Sequence, residues 1–259
     1  MIDLHSHIVY AIDDGVQTLD EALALGRMAA ADGTRIIAAT PHSPGSTACR
    51  SYDPALIRER VAEINAALQA EQTALEVVVG TEICFGGDIV DRLKHGALLP
   101  YAGSRSILVE LPYNTIPATL DTVLFALQVA GYRVVLAHPE RIIEVQRDPN
   151  RLLPLIERGV LMQLTAEALT GAQGERLRTT AETLLTHGMA HVLASDAHGT
   201  PPRRPPLLAT ARARAAELIG QEAADALVTT IPTALLNDQP PPIPDPRPVV
   251  QQRRFWWHG

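Results

Sequence analysis

The sequence predicts an α/β protein, a parallel (β/α) barrel of about seven strands. Three observations carry that prediction. Short apolar runs recur at even spacing, and most are near-continuous in Val, Ile and Leu, as strands covered on both faces are. Capped helical segments lie between them. No Gly-x-Gly-x-x-Gly or Walker loop follows any run, which removes support for a nucleotide-binding doubly wound sheet.

In order, the strands are expected at Ile2–His5, Arg35–Ala39, Glu76–Gly80, Ser106–Glu110, Arg133–Ala137, Val160–Leu164 and His191–Ala194. Thr18-Leu-Asp-Glu21 is a capping box that opens a helix to about Asp32. Asp53-Pro54 places a cap and an N1 proline before a helix to about Glu71. Further helices are expected near Pro117–Ala130, Pro149–Arg158, Glu175–His187, Pro206–Ile219 and Gln221–Thr229. Gly33, Gly131, Gly159 and Gly188 stand where a left-handed residue closes a helix. No boundary or internal repeat interrupts residues 1–235. Gln239–Pro248 reads QPPPIPDPRP, an extended polyproline stretch, and leads to Arg253-Arg254-Phe255-Trp256-Trp257. That end reads either as a loose tail or as a docking peptide for another subunit or protein, since paired Trp beside Arg is hot-spot chemistry.

Composition narrows the function. The 259 residues carry 22 Lys and Arg against 29 Asp and Glu, a formal charge of −7, with 46% hydrophobic and 20% charged residues. This is a globular balance able to bury a core. An acidic chain without a basic run in its body is a poor nucleic-acid or anionic-membrane binder. No stretch of about 18 apolar residues spans a bilayer, and MIDLHSHIVY lacks the features of a secretory signal. Two cysteines, Cys49 and Cys84, make no disulfide scaffold, so a cytoplasmic location is expected. Nine histidines are many for such a chain.

Metal-ligand residues fall at the strand ends. The first strand delivers His5 and His7, then Asp13-Asp14; the second runs into Thr40-Pro41-His42. The third ends Gly80-Thr81-Glu82 and the fourth at Glu110. The fifth runs into His138-Pro139-Glu140-Arg141 and the last into Ser195-Asp196-Ala197-His198. Only the sixth, ending Gln163-Leu164-Thr165, offers none. In a strand, residues i and i+2 share a face, so His5 projects with His7 and Asp196 with His198. Asp3 has the same parity but sits deeper, and is expected behind the ligands or in the barrel core. Any one of these pairs alone is incidental more often than not; their joint placement points to metal. Imidazole with carboxylate suits Zn, Mn or Fe. His5, His7, Asp14, His42, Glu82, Glu110, His138, Asp196 and His198 exceed the needs of one ion, which implies two or three. His95 and His258 read as surface residues, His187 as a helix C-terminal cation, and His191 as opening a strand on the opposite rim.

These blocks resemble the polymerase-and-histidinol-phosphatase (PHP) superfamily. Within it, MIDLHSHIVYAIDDG, ATPH, GTEI, the Glu-Leu-Pro of LVELPYNTIP, LAHPER and SDAH resemble the bacterial manganese-dependent tyrosine-protein phosphatases linked to capsular and exopolysaccharide synthesis. The resemblance covers residues 1 to about 236. It implies a distorted (β/α)7 TIM-like barrel of the PHP type in a single domain, residues 1–236, with a proline-rich, Trp-ended tail, residues 237–259. It also implies three ions, with Mn2+ expected and Fe or Zn as alternatives. His5, His7, Glu82 and Asp196 would hold one. Glu82 would bridge to a second held by Glu110 and His138, and Asp14, His42 and His198 would hold the third. Arg141 and one of the adjacent Arg203 and Arg204 would bind phosphate, with Arg204 favoured because it precedes Pro205-Pro206. Ile142 stands where this group usually carries an aromatic.

The expected reaction is hydrolysis of phosphotyrosine by a metal-activated hydroxide on a phosphotyrosyl protein, a bacterial tyrosine kinase of capsular or exopolysaccharide synthesis. A phenol with pKa near 10 leaves with little help; His42 or a metal-bound water is the candidate donor. Thiolate catalysis is disfavoured, since six residues after Cys49 and Cys84 stand Ala55 and Val90, not Arg. The alternatives are a phosphomonoesterase on histidinol phosphate or a sugar phosphate, a non-catalytic metal-loaded module whose tail binds a protein, and, more weakly, an amidohydrolase. Amidohydrolase barrels often place a bridging Lys where this chain has Glu110.

Overall fold

The computed structural model describes residues 1–250; residues 251–259, and with them the Trp256-Trp257 docking end, lie outside the described residues. The strands are β1 (Ile2–Ser6), β2 (Ile36–Ala39), β3 (Glu76–Val79), β4 (Glu82–Cys84), β5 (Ser106–Glu110), β6 (Arg133–Ala137), β7 (Leu161–Thr165) and β8 (Val192–Ala194). The helices are α1 (Leu19–Ala31), α2 (Pro54–Ala70), α3 (Ile89–Lys94), α4 (Leu120–Val129), α5 (Ile143–Arg147) and α6 (Leu153–Glu157). They continue with α7 (Ala166–Thr170), α8 (Glu175–Thr186), α9 (Ala209–Ile219), α10 (Gln221–Val228) and α11 (Thr230–Leu236). No helix among the described residues is long and apolar enough to cross a membrane.

Every strand pair is parallel, in two sheets ordered β1-β2-β3 and β4-β5-β6-β7-β8. Where the sequence predicts one strand at residues 76–80, the chain makes two. It breaks at Gly80-Thr81, so that β3 pairs with β2 and β4 with β5. Gly80 passes so close to Thr40 and Tyr101 that a Cβ there would stand 3.1 Å from each side chain. The sheets meet at their C-terminal ends. The Asp196 amide donates to the His5 carbonyl at 2.8 Å, and the His7 amide to the Ala197 carbonyl at 2.8 Å. Between β2 and β4, the Glu82 amide donates to the Pro41 carbonyl and the Ser43 amide to the Glu82 carbonyl, at 3.1 and 2.9 Å.

Local signals place the flanking helices. Thr18 accepts from the Glu21 amide at 3.2 Å, while the Glu21 carboxylate takes the Gln17 amide, one residue before the expected partner. Asp53 accepts from the Ala55 amide at 2.8 Å. The apolar faces of α1 (Leu25, Ala29) and α2 (Ile57, Ile64, Leu68) pack against Ile37 and Val77. Each such aliphatic side chain contributes about 1.5–3 kcal/mol on burial. A larger cluster joins the second sheet to α3–α10. A third draws Leu4, Ala38, Leu108, Val135, Leu161 and Val192 from both sheets around Tyr101 and the Ile231 and Leu235 of α11. α11 was not among the expected helices, the last of which ends near Thr229.

From residue 239 to 250 the chain forms neither helix nor strand, and it lies against the body. Arg247 donates its amide to the His187 carbonyl at 2.8 Å, and Asn150 makes a reciprocal pair with the Val249 backbone at 2.7 and 3.0 Å. Gly188, at φ +69°, allows this approach, since a Cβ there would meet the Asp245 carbonyl at 2.9 Å.

His191 is fully buried beside β7, where its Nδ1 accepts the Met162 amide at 2.9 Å. Burial pushes its pKa down to about 4, so the unfolded chain takes up the proton first. Stability is therefore unaffected above pH 6.5 and falls as pH drops toward 4. His191→Asn keeps an acceptor for Met162. Urea unfolding at pH 5 and pH 7.5 is expected to differ by about 2 kcal/mol less in the variant than in the parent. Equal pH slopes for the two proteins would count against this account.

Candidate active site

The strand ends bring all nine sequence-predicted ligands together. Glu82, which opens β4, is the hub. Its Oε2 lies 3.3 Å from His5 Nε2, 3.5 Å from His7 Nε2 and 3.0 Å from His42 Nδ1, and its Oε1 lies 2.9 Å from His138 Nε2. Asp196 Oδ1 stands 3.3 Å from both His5 and His7 and 3.5 Å from His198. Asp14 Oδ1 reaches His198 at 3.5 Å and His42 at 3.8 Å, and Glu110 reaches His138 at 3.7 Å and His42 at 3.8 Å. Two of the residues, His138 at φ +33° and Asp196 at φ +52°, take the left-handed backbone that side chains disfavour. Such strain gathers at functional sites, where surrounding contacts enforce it.

The donor chemistry fits divalent cations. His5 Nδ1 bonds Gln163 Oε1 at 2.9 Å and His7 Nδ1 bonds Asp13 Oδ2 at 2.7 Å. These outward partners turn each Nε2 toward the cluster, the way metal-bound imidazoles are oriented. His5 Nε2, His7 Nε2, His42 Nδ1, Asp14 Oδ1 and Glu82 Oε2 are buried with no hydrogen-bond partner. Buried polar atoms are rarely left so, because each costs about 1–3 kcal/mol. Four overlapping sets have ligand atoms within 4.8 Å of one another. They are His7-Asp14-His42-His198, His5-His7-Asp196, His5-Glu82-His138 and His42-Glu82-Glu110.

The electrostatics agree. Burial, then the charge of Glu82, raises the Glu110 carboxyl to about 7, so the two carboxylates repel unless a cation lies between them. Burial, then Arg141, lowers His138 to about 4 and keeps its imidazole neutral, the form that binds metal. The hydrogen bond from His198 outweighs burial at Asp14 and holds that carboxylate down to about 2.

A cavity of about 410 Å³ opens over the cluster. Arg141 reaches it with Nη1 2.8 Å from Asp196 Oδ2 and Nη2 3.2 Å from Thr165 Oγ1. Arg204 also lines it, donating to the Asp196 carboxylate and, at 3.0 Å, to the Asp196 carbonyl. Arg203 does not line it. Its guanidinium turns away to the carbonyls of Gly15, at 2.9 Å, and Asp14, and so ties that loop to the one after β8. Ile142 is buried outside the cavity. Cys84 is part of the lining.

Several working residues escaped the sequence reading. The strand expected to contribute nothing, now β7, supplies two partners behind the ligands. Gln163 holds His5, and Thr165 receives Arg141 while its amide donates to Glu140 at 2.9 Å. Polar residues at inward positions of an otherwise apolar strand were the available signal. Asp13 holds His7 and also takes the Gly15 and His42 amides at 2.8 and 2.9 Å. Asp3, by contrast, is where it was expected, buried behind the ligands: it accepts from the Ser195 amide at 3.0 Å and joins β1 to the end of β8. Gly15 lies so close beneath His7 that a Cβ would stand 2.3 Å from the His7 carbonyl and 2.5 Å from its Cβ. Gly15→Ala is therefore expected to displace His7, with metal retention after dialysis falling at least tenfold. Wild-type metal content in that variant would show the contact to be unimportant.

Parallel strands that deliver imidazoles and carboxylates to one rim, beneath paired guanidiniums, define a metal-dependent hydrolase. Residues 1–237 match the capsular polysaccharide synthesis family CpsB/CapC, and the chain belongs to that family. It is 34% identical over 203 residues to the tyrosine-protein phosphatase YwqE of Bacillus subtilis (strain 168), covering 78% of this chain and 79% of that protein. It is 28% identical over 232 residues to the tyrosine-protein phosphatase CpsB of Streptococcus agalactiae serotype III, covering 88% of this chain and 94% of the relative. A solved structure from work on YwqE of Bacillus subtilis and CpsB of Streptococcus pneumoniae, described as unique metal-dependent tyrosine phosphatases, is also similar. It superposes with a TM-score of 0.91 at 32% identity, over 97% of this chain and 100% of that one.

Proposed function

We propose that the chain is a metal-dependent protein-tyrosine phosphatase whose catalytic unit is residues 1–236, a distorted seven-stranded barrel with β3 and β4 as one kinked stave. The bonds between β1 and the residues after β8, and between Pro41–Ser43 and Glu82, support closure. The observation that carries the function is the convergence of nine candidate ligand side chains beneath a cavity that two guanidiniums line. Three divalent ions, Mn2+ foremost, fit the residues. His5, His7, Glu82 and Asp196 would hold one, Glu82, Glu110 and His138 the second, and Asp14, His42 and His198 the third. When bound, such ions ionise water near neutral pH and stabilise charge on transferring phosphoryl oxygens.

The chain's own groups do the rest. Arg141 and Arg204 place planar forks at the cavity, and each guanidinium has five donors, more than its bonds to Asp196 and Thr165 use. The remaining donors bind the phosphoryl oxygens, where charge accumulates in the transition state. Gln163 and Asp13 keep the His5 and His7 lone pairs aimed inward. A tyrosyl leaving group, with phenol pKa near 10, departs without a dedicated acid. The substrate is a phosphotyrosyl protein, a bacterial tyrosine kinase acting in capsular or exopolysaccharide synthesis, in the cytoplasm. Residues 237–259 are a tail outside the catalytic unit.

Purified protein is expected to hydrolyse a phosphotyrosyl peptide, to lose that activity in a chelator, and to regain it with Mn2+. Hydrolysis of histidinol phosphate with no action on the peptide would replace this reading with a metabolite phosphatase.

A further inference from the structure

We propose that Tyr113 recognises the aryl group of the substrate, its ring forming a wall on which the aromatic leaving group packs. The inference rests on the phosphotyrosine reading and deepens it to a specificity-determining residue. Tyr113 is 47% exposed, yet it lines the cavity beside Glu110, His138 and Arg141. It is the one Phe, Tyr or Trp among the described residues that does so. Its ring meets the His138 ring edge-on, with centroids 5.7 Å apart at 62°. The exposed remainder of the ring is free for a second aromatic contact.

The loop that carries it is held firmly. The Ile143 amide donates to the Tyr113 carbonyl at 2.7 Å. Two residues further on, the Thr115 hydroxyl and the Ile116 amide both donate to the Glu144 carboxylate at 3.0 Å. Three bonds from the first turn of α5 thus fix the wall before substrate arrives, which lowers the ordering cost of binding. Gly45, Ser46, Thr47 and Ala48, all small residues, belong to the same lining. They leave room for a planar ring. With the phosphoryl group at Arg141 and Arg204, the ester oxygen carries its substituent away from the cluster. An aryl substituent gains an aromatic pair with Tyr113 that an alkyl one does not. Offset or edge-to-face pairs of this kind correspond to roughly twofold to tenfold in affinity.

The test compares the Mn2+-loaded parent with Tyr113→Phe and Tyr113→Leu. Kinetics on a phosphotyrosyl peptide are combined with calorimetric binding of phenylphosphonate and methylphosphonate. Tyr113→Leu is expected to raise KM for the peptide roughly twofold to tenfold, with kcat within about twofold of the parent. It should also lose the preference for phenylphosphonate. Tyr113→Phe, which keeps the ring, should match the parent in both. Unchanged KM and unchanged phosphonate preference in Tyr113→Leu would overturn the proposal, as would equal losses in both variants. If the parent does not hydrolyse the peptide, the phosphatase reading fails, and the phosphonate preference still decides whether Tyr113 is an aryl wall.

Discussion

Glu82→Gln is expected to abolish phosphatase turnover, with a loss on the order of a thousandfold, and to strip the protein of most of its metal on dialysis. Glu82 is 1% exposed and its two oxygens face four imidazoles within 3.5 Å. Glutamine has the same volume, so packing around β4 survives. What changes is charge and direction. One anionic oxygen becomes an amide NH2, which donates instead of accepting in a space where lone pairs converge. The residue that joins two proposed ion positions then offers one neutral oxygen in place of two anionic ones, and its NH2 is turned on one of the positions. Elemental analysis of dialysed protein, with turnover of a phosphotyrosyl peptide, checks this. Full metal content together with full turnover would remove Glu82 from the centre of the site.

Arg141→Lys is expected to lower kcat/KM by roughly a hundredfold to a thousandfold while leaving metal content intact. Arg141 spans Asp196 and Thr165 at once, with Nη1 and Nη2 at 2.8 and 3.2 Å from their respective oxygens. Lysine keeps the positive charge, but its single ammonium cannot hold both partners and still present a planar fork to a phosphoryl group. A variant with parental kcat/KM would place phosphate recognition on Arg204 alone. A variant that loses metal would make Arg141 a support for Asp196 instead.

Much of the site was legible because strand periodicity is local. His-x-His announces its common face within three residues, and each ligand block follows its own apolar run; Asp196 and His198 lie beyond β8, which ends at Ala194, and Asp196 enters the cluster from a left-handed backbone at φ +52° instead of by strand alternation. The helices were legible where caps are local too, as at Thr18 and Asp53. The split of β3 from β4 was not, because it depends on Tyr101 and Thr40 crowding Gly80 from elsewhere in the chain. Nor was the part played by β7. Gln163 is 158 residues from the histidine it orients, and nothing in its own segment names that partner.

The choice between Arg203 and Arg204 divides the two kinds of information. The sequence by itself determined the α/β class, the nine imidazoles and carboxylates that converge at the strand ends and the presence of an arginine pair after the last strand, since residue type and short-range spacing suffice for these. Only the tertiary structure decided which guanidinium enters the cavity and which clasps the Asp14 loop. It also decided which aromatic side chain stands at the mouth. Adjacent side chains in a loop have no fixed period, and their directions are set by distant carbonyls and carboxylates that only the folded chain brings near.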